Sequence, residues 1–377
     1  MSIELDYSRA ISNMGNSARI KEVMKRALSG EDITVAFLGG SITQGSLSST
    51  PELCYAYRVY KWWCESFPKA KINYVNAGIG ATDSQFGCAR ADSDVLRYKP
   101  DFMIIEYSVN DASNDHYLET YEGLVRKCYY SDVKPAVLLV HNVCYDSGAN
   151  AERVHARVAR HYDIPSVTMR ETIYPLLLNG VIENREITPD DLHPNDLGHE
   201  LVASVITHRL SQIKDGIDDE KAEGALSHSE FEKPEPFTAN AYENSVRYRN
   251  DNAVVMENTG WTADKDEQEV ITDIFKSGWT AKDKGAKICF DVEGSCIGVQ
   301  YRRTVSLPAP VAKITVDGDE ATSKILDGNF DETWGDKLCL DTVLEHGENK
   351  KHQVEVEIIE THDNDKLPFY LVSIIGA

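Results

Sequence analysis

The chain has 377 residues, a formal net charge of −22 and a hydrophobic content of 42%. This length predicts two or three domains, each able to bury a core, and the hydrophobic content is typical of a globular protein. The acidic balance disfavours nucleic acid and anionic membrane surfaces as partners, because both bind to a basic face.

The first half of the chain alternates between helix and strand patterns. Strands are predicted from Ile33 to a break at Gly39, and then over 71–76, 101–107, 135–141 and 164–168. Helices are predicted over 16–28 with Asn16 as N-cap, over 54–67, up to about 98, over 117–130 and 149–162, up to 178, and over 197–213. This alternation predicts an α/β domain over residues 1–213, with a doubly wound, flavodoxin-like parallel sheet.

The texture of the sequence changes after residue 213. Residues 214–236 are acidic, poor in apolar side chains and interrupted by Gly and Pro, which indicates a linker. Short β-type runs separated by turn residues follow, over 287–292, 297–301, 313–316, 352–359 and 369–375. They predict that residues 237–377 form an all-β sandwich of the jelly-roll-like kind.

The first candidate for chemistry is Ser41, which follows the apolar run Ile33–Leu38 and the pair Gly39-Gly40. Open α/β sheets bind ligands at the carboxyl ends of their strands, and two glycines permit a sharp turn and a close backbone approach. Ser41 is therefore a candidate nucleophile. The alternative is a serine that merely caps a helix after a strand.

A carboxylate and an imidazole lie three residues apart in a predicted loop, at Asp190 and His193. A carboxylate at this spacing can accept a hydrogen bond from Nδ1–H, which fixes the tautomer and leaves Nε2 free as a base. Together with Ser41 the pair supplies a nucleophile, a base and a group that orients the base. The alternative is a pair of solvated loop residues.

Acyl transfer also requires donors for the oxyanion. Candidates are the Ser41 N–H, a backbone N–H in the Gly78–Gly80 turn that follows the second predicted strand, and the side-chain amide of Asn110 at the end of the third. The alternatives are plain turn geometry for the glycines and an Asx-turn role for Asn110.

Four short blocks then carry a family resemblance: Gly39–Thr43, Asn76–Gly80, Val109–Asp111 and Asp190–Asn195. In this order they resemble the blocks of the SGNH (GDSL-like) hydrolase superfamily, over roughly residues 30–213. The resemblance implies Ser41 as nucleophile, Asp190 and His193 as the other triad members, and Asn110 as an oxyanion donor. Ala81 stands where the second block usually has glycine, so the backbone donor is Gly80 or Ala81, with Gly80 preferred. Ser108 likewise replaces a usual glycine.

The order of the domains resembles bacterial carbohydrate esterases, most closely carbohydrate esterase family 17. Members of this family remove acetyl groups from mannan oligosaccharides and carry a module similar to family 35 carbohydrate-binding modules. The resemblance implies an acetylesterase for acetylated manno-oligosaccharides that requires no cofactor. Some related β-sandwich modules bind calcium, but the sequence contains no compact loop of oxygen ligands of the Asp-x-Asp-x-Asp-Gly type, and no metal-ligating residue is predicted. Trp334 is the predicted sugar contact of the second domain. Alternatives are a lipase or thioesterase, a xylan-directed acetylesterase and, last, a catalytically dead carbohydrate-binding protein.

The remaining predictions concern location and assembly. The N-terminus lacks the basic start and apolar core of a signal peptide, and the sequence has no apolar run long enough to span a membrane. The eight cysteines are scattered without a Cys-x-x-Cys pair, which favours free thiols in a reducing compartment. We therefore expect a cytoplasmic protein without a membrane partner, and a homo-oligomer is compatible with the sequence.

Overall fold

The computed structural model describes residues 3–219 and 233–377. They form two compact units, the first ending at Asn240 and the second spanning Ala241–Ala377. Most of the predicted linker, residues 220–232, lies outside the described residues. Within the described ranges, no helix has both the length and the hydropathy that crossing a membrane requires.

The first unit is an α/β unit whose described residues include six strands and nine α-helices. The strands are β1 Ile11–Asn13, β2 Ile33–Gly39, β3 Ile72–Gly78, β4 Phe102–Glu106, β5 Ala136–His141 and β6 Ser166–Thr168. The helices are α1 Ala18–Ser29, α2 Ser41–Gln44, α3 Tyr55–Ser66, α4 Ser84–Asp94, α5 Asp115–Tyr129, α6 Glu152–His161, α7 Tyr174–Leu178, α8 Asn184–Ile187 and α9 Asp196–Asp215.

The strands form one sheet in the order β1-β6-β5-β4-β2-β3. All neighbours from β6 to β3 run parallel, which confirms the doubly wound α/β fold. In the register of the sheet, Gly39 at the end of β2 pairs with Gly78 on β3 and with Glu106 on β4. Three strands therefore end side by side, and the turns that follow them meet at one edge.

Two details of the first unit differ from the sequence prediction. The short strand β1 was not predicted, and it adds to the sheet in the antiparallel direction beside β6. The N-cap of α1 is Ser17, one residue after the predicted Asn16. The side chain of Asn16 accepts the N–H of Ala18 at 2.9 Å. Gly30 ends α1 with a left-handed φ of 94°, a conformation that glycine adopts without strain.

The second unit is antiparallel throughout its described strand pairs, which confirms the all-β class. Its strands are β7 Val246–Tyr248, β8 Val254–Thr259, β9 Thr262–Ala263, β10 Trp279–Ala281, β11 Lys287–Gly294, β12 Ile297–Arg303, β13 Val311–Val316, β14 Asp319–Asp327, β15 Lys337–Leu344, β16 Lys350–Glu360 and β17 Phe369–Gly376. One sheet has the order β15-β12-β17-β10-β9, with β7 beside β17, and the other has the order β14-β13-β16-β11-β8.

Aromatic residues of the second unit take two different positions. Trp261, Trp279 and Tyr301 are buried in its hydrophobic core. Trp334 lies between β14 and β15, and 60% of its surface is exposed. Its ring meets that of Phe330 edge-on, with the centroids 5.1 Å apart. Of these four aromatic side chains, Trp334 is therefore the one that a ligand in solvent can reach.

Candidate active site

Ser41 is the first residue of α2 and follows β2 after the single linking residue Gly40. Two close approaches explain the glycines before it. A methyl group on Gly39 would lie 2.2 Å from Thr43 Oγ1, and one on Gly40 would lie 2.2 Å from Asn110 Oδ1. Because neither position tolerates a side chain without displacement of its neighbour, the Gly-Gly pair allows the strand to turn directly into the nucleophile.

The three predicted triad residues meet in one hydrogen-bonded chain. The Oγ of Ser41 lies 2.8 Å from His193 Nε2, and His193 Nδ1 lies 2.6 Å from Asp190 Oδ2. When Nδ1–H donates to the carboxylate, Nε2 is the acceptor for the serine proton, which is the tautomer that a general base requires. The structure therefore brings together the residues that the two separate sequence motifs predicted.

The loop around Asp190 favours the charged form of its carboxyl group. Partial burial raises the pKa of Asp190. Hydrogen bonds from His193 and from the backbone N–H of Leu192 lower it by more than this, so the pKa lies below its ordinary value. The backbone N–H groups of His193 and Leu192 lie 2.7 and 3.1 Å from Oδ1. An ionised Asp190 can thus orient His193 and stabilise the imidazolium that forms when Ser41 loses its proton.

The sequence analysis missed the anchor of this loop. Asp191 has a left-handed φ of 67°, and its carboxylate accepts both arms of the Arg185 guanidinium at 2.8 and 2.7 Å. The side chain of Asn184 adds a hydrogen bond at 2.9 Å, and the N–H of Tyr145 donates to the Asp191 carbonyl at 2.7 Å. These contacts hold a strained residue between the acid and the base of the triad.

Asp191→Ala is therefore expected to lower kcat by about tenfold, because the loop that carries Asp190 and His193 loses its anchor. Asp191→Gly is the matched comparison, since glycine adopts the left-handed backbone without strain and should retain more activity than alanine. Steady-state kinetics on an aryl acetate measure both variants. Wild-type kcat in both would show that the anchor has no effect on the triad.

Asn110 lies on the turn after β4, where its side chain packs over Gly40. Its Oδ1 is buried and has no hydrogen-bond partner among the described residues. The backbone of the turn is held by the Tyr107 carbonyl, which accepts the Asn110 N–H at 3.1 Å. Among the described residues no hydrogen bond uses its Nδ2, so this end of the amide can donate to a group that develops negative charge beside Ser41.

The turn after β3 changes the preference between Gly80 and Ala81. The Gly80 N–H already donates to the side-chain Oε1 of Gln44 at 2.6 Å. In residues 3–219 and 233–377 the Ala81 N–H has no acceptor, and Ala81 adopts a left-handed φ of 56°. Since a free N–H is what an oxyanion needs, the geometry favours Ala81 over Gly80, the donor preferred from the sequence. Gln44, three residues after Ser41, is a second contact that the motifs did not signal.

Ser108, which replaces a usual glycine, binds a buried carboxyl group. Its N–H and its Oγ lie 3.0 and 2.9 Å from Oε1 of Glu106, the last residue of β4. Burial raises the pKa of Glu106 to about 7. The serine therefore has a structural explanation beside Asn110, because it supplies two hydrogen bonds to one oxygen of a carboxyl group that is buried at the strand end.

His199 connects α9 to the elements around the nucleophile. Its Nδ1 accepts the N–H of Tyr55 at 3.2 Å, and its Nε2 lies 3.3 Å from the carbonyl of Ser46 in the loop after α2. Both contacts require a neutral ring with the proton on Nε2. Burial lowers the pKa of His199 to about 4, which favours this neutral form.

This burial predicts a pH dependence of stability. Because the unfolded His199 has the ordinary pKa of 6.5, the unfolded chain binds more protons than the folded chain as the pH falls from 6.5 towards 4. The contribution of His199 to the unfolding free energy is expected to decline in that window, by at most about 1.4 kcal/mol per pH unit. Urea unfolding of wild type and His199→Gln at several pH values measures it. A pH-independent difference between the two would contradict it.

The described residues contain no cluster of His, Cys, Asp and Glu side chains arranged to hold a metal ion. A candidate nucleophile, a candidate base and a candidate orienting carboxylate lie together with three candidate oxyanion donors, the N–H groups of Ser41 and Ala81 and the Asn110 amide, near the carboxyl ends of β2, β3 and β4. This arrangement can transfer an acyl group through a serine ester.

Comparison with known proteins supports the same chemistry. Residues 37–201 match the family model of the GDSL-like Lipase/Acylhydrolase family. The crystal structure of a two-domain esterase (CEX) active on acetylated mannans is 60% identical, with a TM-score of 0.93, and the match covers 99% of this chain and 98% of that one. A structure of such an esterase co-crystallised with mannopentaose is 59% identical over the same shares, again with a TM-score of 0.93.

A more distant relative matches about half of the chain. Thioesterase 1/protease 1/lysophospholipase L1 of Escherichia coli (strain K12) is 23% identical over 189 residues, which are 48% of this chain and 84% of the relative. The family predicted from the four sequence blocks is confirmed by these matches. Residues 37–201 are a GDSL-like lipase/acylhydrolase domain, and the chain as a whole belongs to the same family as the two-domain esterase (CEX).

Proposed function

We propose that this protein is a carbohydrate acetylesterase that removes O-acetyl groups from acetylated manno-oligosaccharides. The observation that carries the proposal is the Ser41–His193–Asp190 hydrogen-bonded chain at the strand ends of a GDSL-like unit. The substrate class is supported by the 60% identity, over almost the whole of both chains, to a two-domain esterase active on acetylated mannans.

In the proposed acylation step, Ser41 Oγ attacks the acetyl carbonyl while His193 Nε2 takes its proton. The carbonyl oxygen becomes an oxyanion, which the N–H groups of Ser41 and Ala81 and the Asn110 amide stabilise. His193 then gives its proton to the sugar oxygen, the ester bond breaks and the sugar alcohol leaves. Asp190 keeps the imidazolium oriented throughout, since its hydrogen bond to Nδ1 is short and charge-assisted.

Deacylation repeats these roles with water as the nucleophile. His193 takes a proton from water as it attacks the Ser41 acetyl ester, the same donors hold the second oxyanion, and acetate leaves as Ser41 regains its proton. Every proton in this cycle passes through His193. The proposed cycle requires no cofactor.

We further propose Trp334 as a sugar contact of the second unit. An exposed indole ring can stack on the apolar face of a pyranose, and Trp334 is 60% exposed. A carbohydrate-binding role of this unit would supply remote binding energy to the reaction. A cytoplasmic location and a homo-oligomeric state remain predictions from the sequence.

Trp334→Ala is expected to lower kcat/KM for an acetylated manno-oligosaccharide several-fold and to leave an aryl acetate unaffected, because an aryl acetate does not need the sugar contact. Tyr98→Ala is a matched control, since Tyr98 is also exposed but precedes β4 at the opposite edge of the sheet from Asn110. Equal effects of Trp334→Ala on both substrates would refute the sugar-contact role.

The substrate proposal is tested by acetate release from a panel, with NMR identifying the position that loses its acetyl group. The panel contains acetylated manno-oligosaccharides, acetylated xylo-oligosaccharides and aryl esters of increasing acyl length. We expect the highest kcat/KM on the acetylated manno-oligosaccharides. A preference for long acyl chains would instead support a lipase or thioesterase, and a preference for xylan fragments would support a xylan-directed enzyme.

A further inference from the structure

Arg90 on α4 is a buried cation that contacts residues at the ends of the strands leading to the candidate oxyanion donors. Its side chain is fully buried, and Nη2 lies 3.1 Å from the carbonyl oxygen of Gly39 and 2.7 Å from that of Ala77. The same nitrogen lies 2.9 Å from the hydroxyl of Tyr107, and Nη1 lies 3.2 Å from the carboxylate of Asp94. One guanidinium group therefore joins the ends of β2, β3 and β4.

Each of the three acceptors immediately precedes a turn of the candidate site. Gly39 ends the strand that leads to Ser41, and its carbonyl also accepts the N–H of Ile79 at 3.0 Å, which ties the first turn to the second. Ala77 precedes the turn that carries Ala81. Tyr107 starts the turn whose backbone holds Asn110. The positions of all three donors thus depend on groups that Arg90 binds.

The surroundings of Arg90 show that the close approach is built into the helix. A methyl group on Gly87, one turn before Arg90, would lie 2.7 Å from the Tyr107 hydroxyl, so a side chain here would push Tyr107 away. Burying a guanidinium group costs free energy even when it is paired, and well-packed apolar residues often stabilise a fold as much. Stability alone therefore does not account for a cation at this point, whereas fixing the relative positions of three turns does.

We propose that Arg90 is a positioning residue of the oxyanion hole, which it sets by binding the ends of β2, β3 and β4 through Gly39, Ala77 and Tyr107. The inference rests on the proposed acetylesterase function. It adds a residue that touches neither the substrate nor the reacting atoms. Its role is to keep three donors, carried by three separate segments, at the distances that an oxyanion requires.

The test compares Arg90→Met, Arg90→Lys and Tyr107→Phe in the full chain, with Arg209→Met as the matched control. Arg209 is also a buried arginine of the first unit, but it lies in the last part of α9 and donates to the Met14 carbonyl at 3.1 Å. Kinetics are measured on an aryl acetate, and the folded fraction is measured by thermal unfolding. The affinity for an alkylboronic acid, which forms a tetrahedral adduct on a catalytic serine, reports the oxyanion hole separately.

Arg90→Met is expected to lower kcat of the folded enzyme by about 100-fold with KM nearly unchanged, as a displaced donor would. The boronic acid should bind more weakly by a similar factor. The kcat of Arg90→Lys should lie between those of Arg90→Met and wild type, because an ammonium group can still bind one or two of the acceptors. Tyr107→Phe should have a several-fold lower kcat than wild type. Arg209→Met should keep wild-type kcat even if it is less stable.

Equal kcat and boronic acid affinity in Arg90→Met and Arg209→Met would overturn the inference. If Arg90→Met does not fold, Arg90→Lys and Tyr107→Phe provide the test. Wild-type kcat in both of these variants would also overturn the inference. A failure of the proposed function is distinguishable, because the wild-type enzyme would then show no preference for acetylated manno-oligosaccharides in the panel, whatever the Arg90 variants do on the aryl acetate.

Discussion

Ser41→Ala is expected to abolish the hydrolysis of an aryl acetate and to leave the fold intact. Ser41 Oγ lies 2.8 Å from His193 Nε2, so the hydroxyl that the variant removes is the one that the base can activate. An aryl acetate is the most demanding substrate for this test, because it reacts readily and would reveal any other nucleophile. Residual activity above a tenth of wild type corresponds to a barrier change below about 1.4 kcal/mol and would place the chemistry elsewhere.

Ser48→Ala is the matched control for the first experiment. Ser48 belongs to the segment after α2, and its hydroxyl donates to the Gly45 carbonyl at 2.7 Å. This variant should keep wild-type kcat. A serine-directed covalent reagent should also label the peptide that contains Ser41, and Ser41→Ala should lose that label. Labelling of another serine in the wild-type enzyme would contradict the assignment.

Asn110→Ala is expected to lower kcat by about 100- to 1000-fold with little change in KM, because one oxyanion donor is lost from the transition state alone. The side chain packs over Gly40, next to Ser41, and its Oδ1 has no partner among the described residues. Steady-state kinetics on an aryl acetate and on an acetylated oligosaccharide measure the effect.

The competing explanation for Asn110 is a residue that only stabilises a turn. Asn114→Ala is the matched control, since Asn114 is the N-cap of α5 and accepts the N–H of Tyr117 at 3.0 Å. Loss of this cap should cost about 1 kcal/mol of stability and leave kcat unchanged. If Asn110→Ala behaves in the same way, losing stability while the folded fraction keeps kcat, Asn110 is a turn residue.

The α/β fold and the chain Ser41–His193–Asp190 were accessible from the sequence for simple physical reasons. Strands buried on both faces require apolar runs, and β2 and β4 are such runs. A parallel sheet brings the ends of these strands to one edge, so residues far apart in the sequence meet there. The spacing of Asp190 and His193 within one loop then places the carboxylate within reach of Nδ1 through a contact that is local in the sequence.

Contacts that depend on a particular packing were not accessible. Strand β1 has three residues and no buried one, so its sequence pattern carries little signal. The choice between Gly80 and Ala81 depends on Gln44, which reaches across from another element to take the Gly80 N–H. Arg90 and Asp191 look like ordinary charged residues of a helix and a loop, because their partners are backbone carbonyls and side chains set by the tertiary structure.

The most direct measurement of the central claim follows the acetyl group itself. A manno-oligosaccharide with an isotopically labelled acetyl group is mixed with the full chain, the reaction is quenched with acid during turnover, and the peptides are mapped by mass spectrometry. The account predicts labelled acetyl on Ser41 in the wild-type enzyme, and neither label nor acetate release in Ser41→Ala. Label on another residue, or acetate release from Ser41→Ala at the wild-type rate, would contradict it.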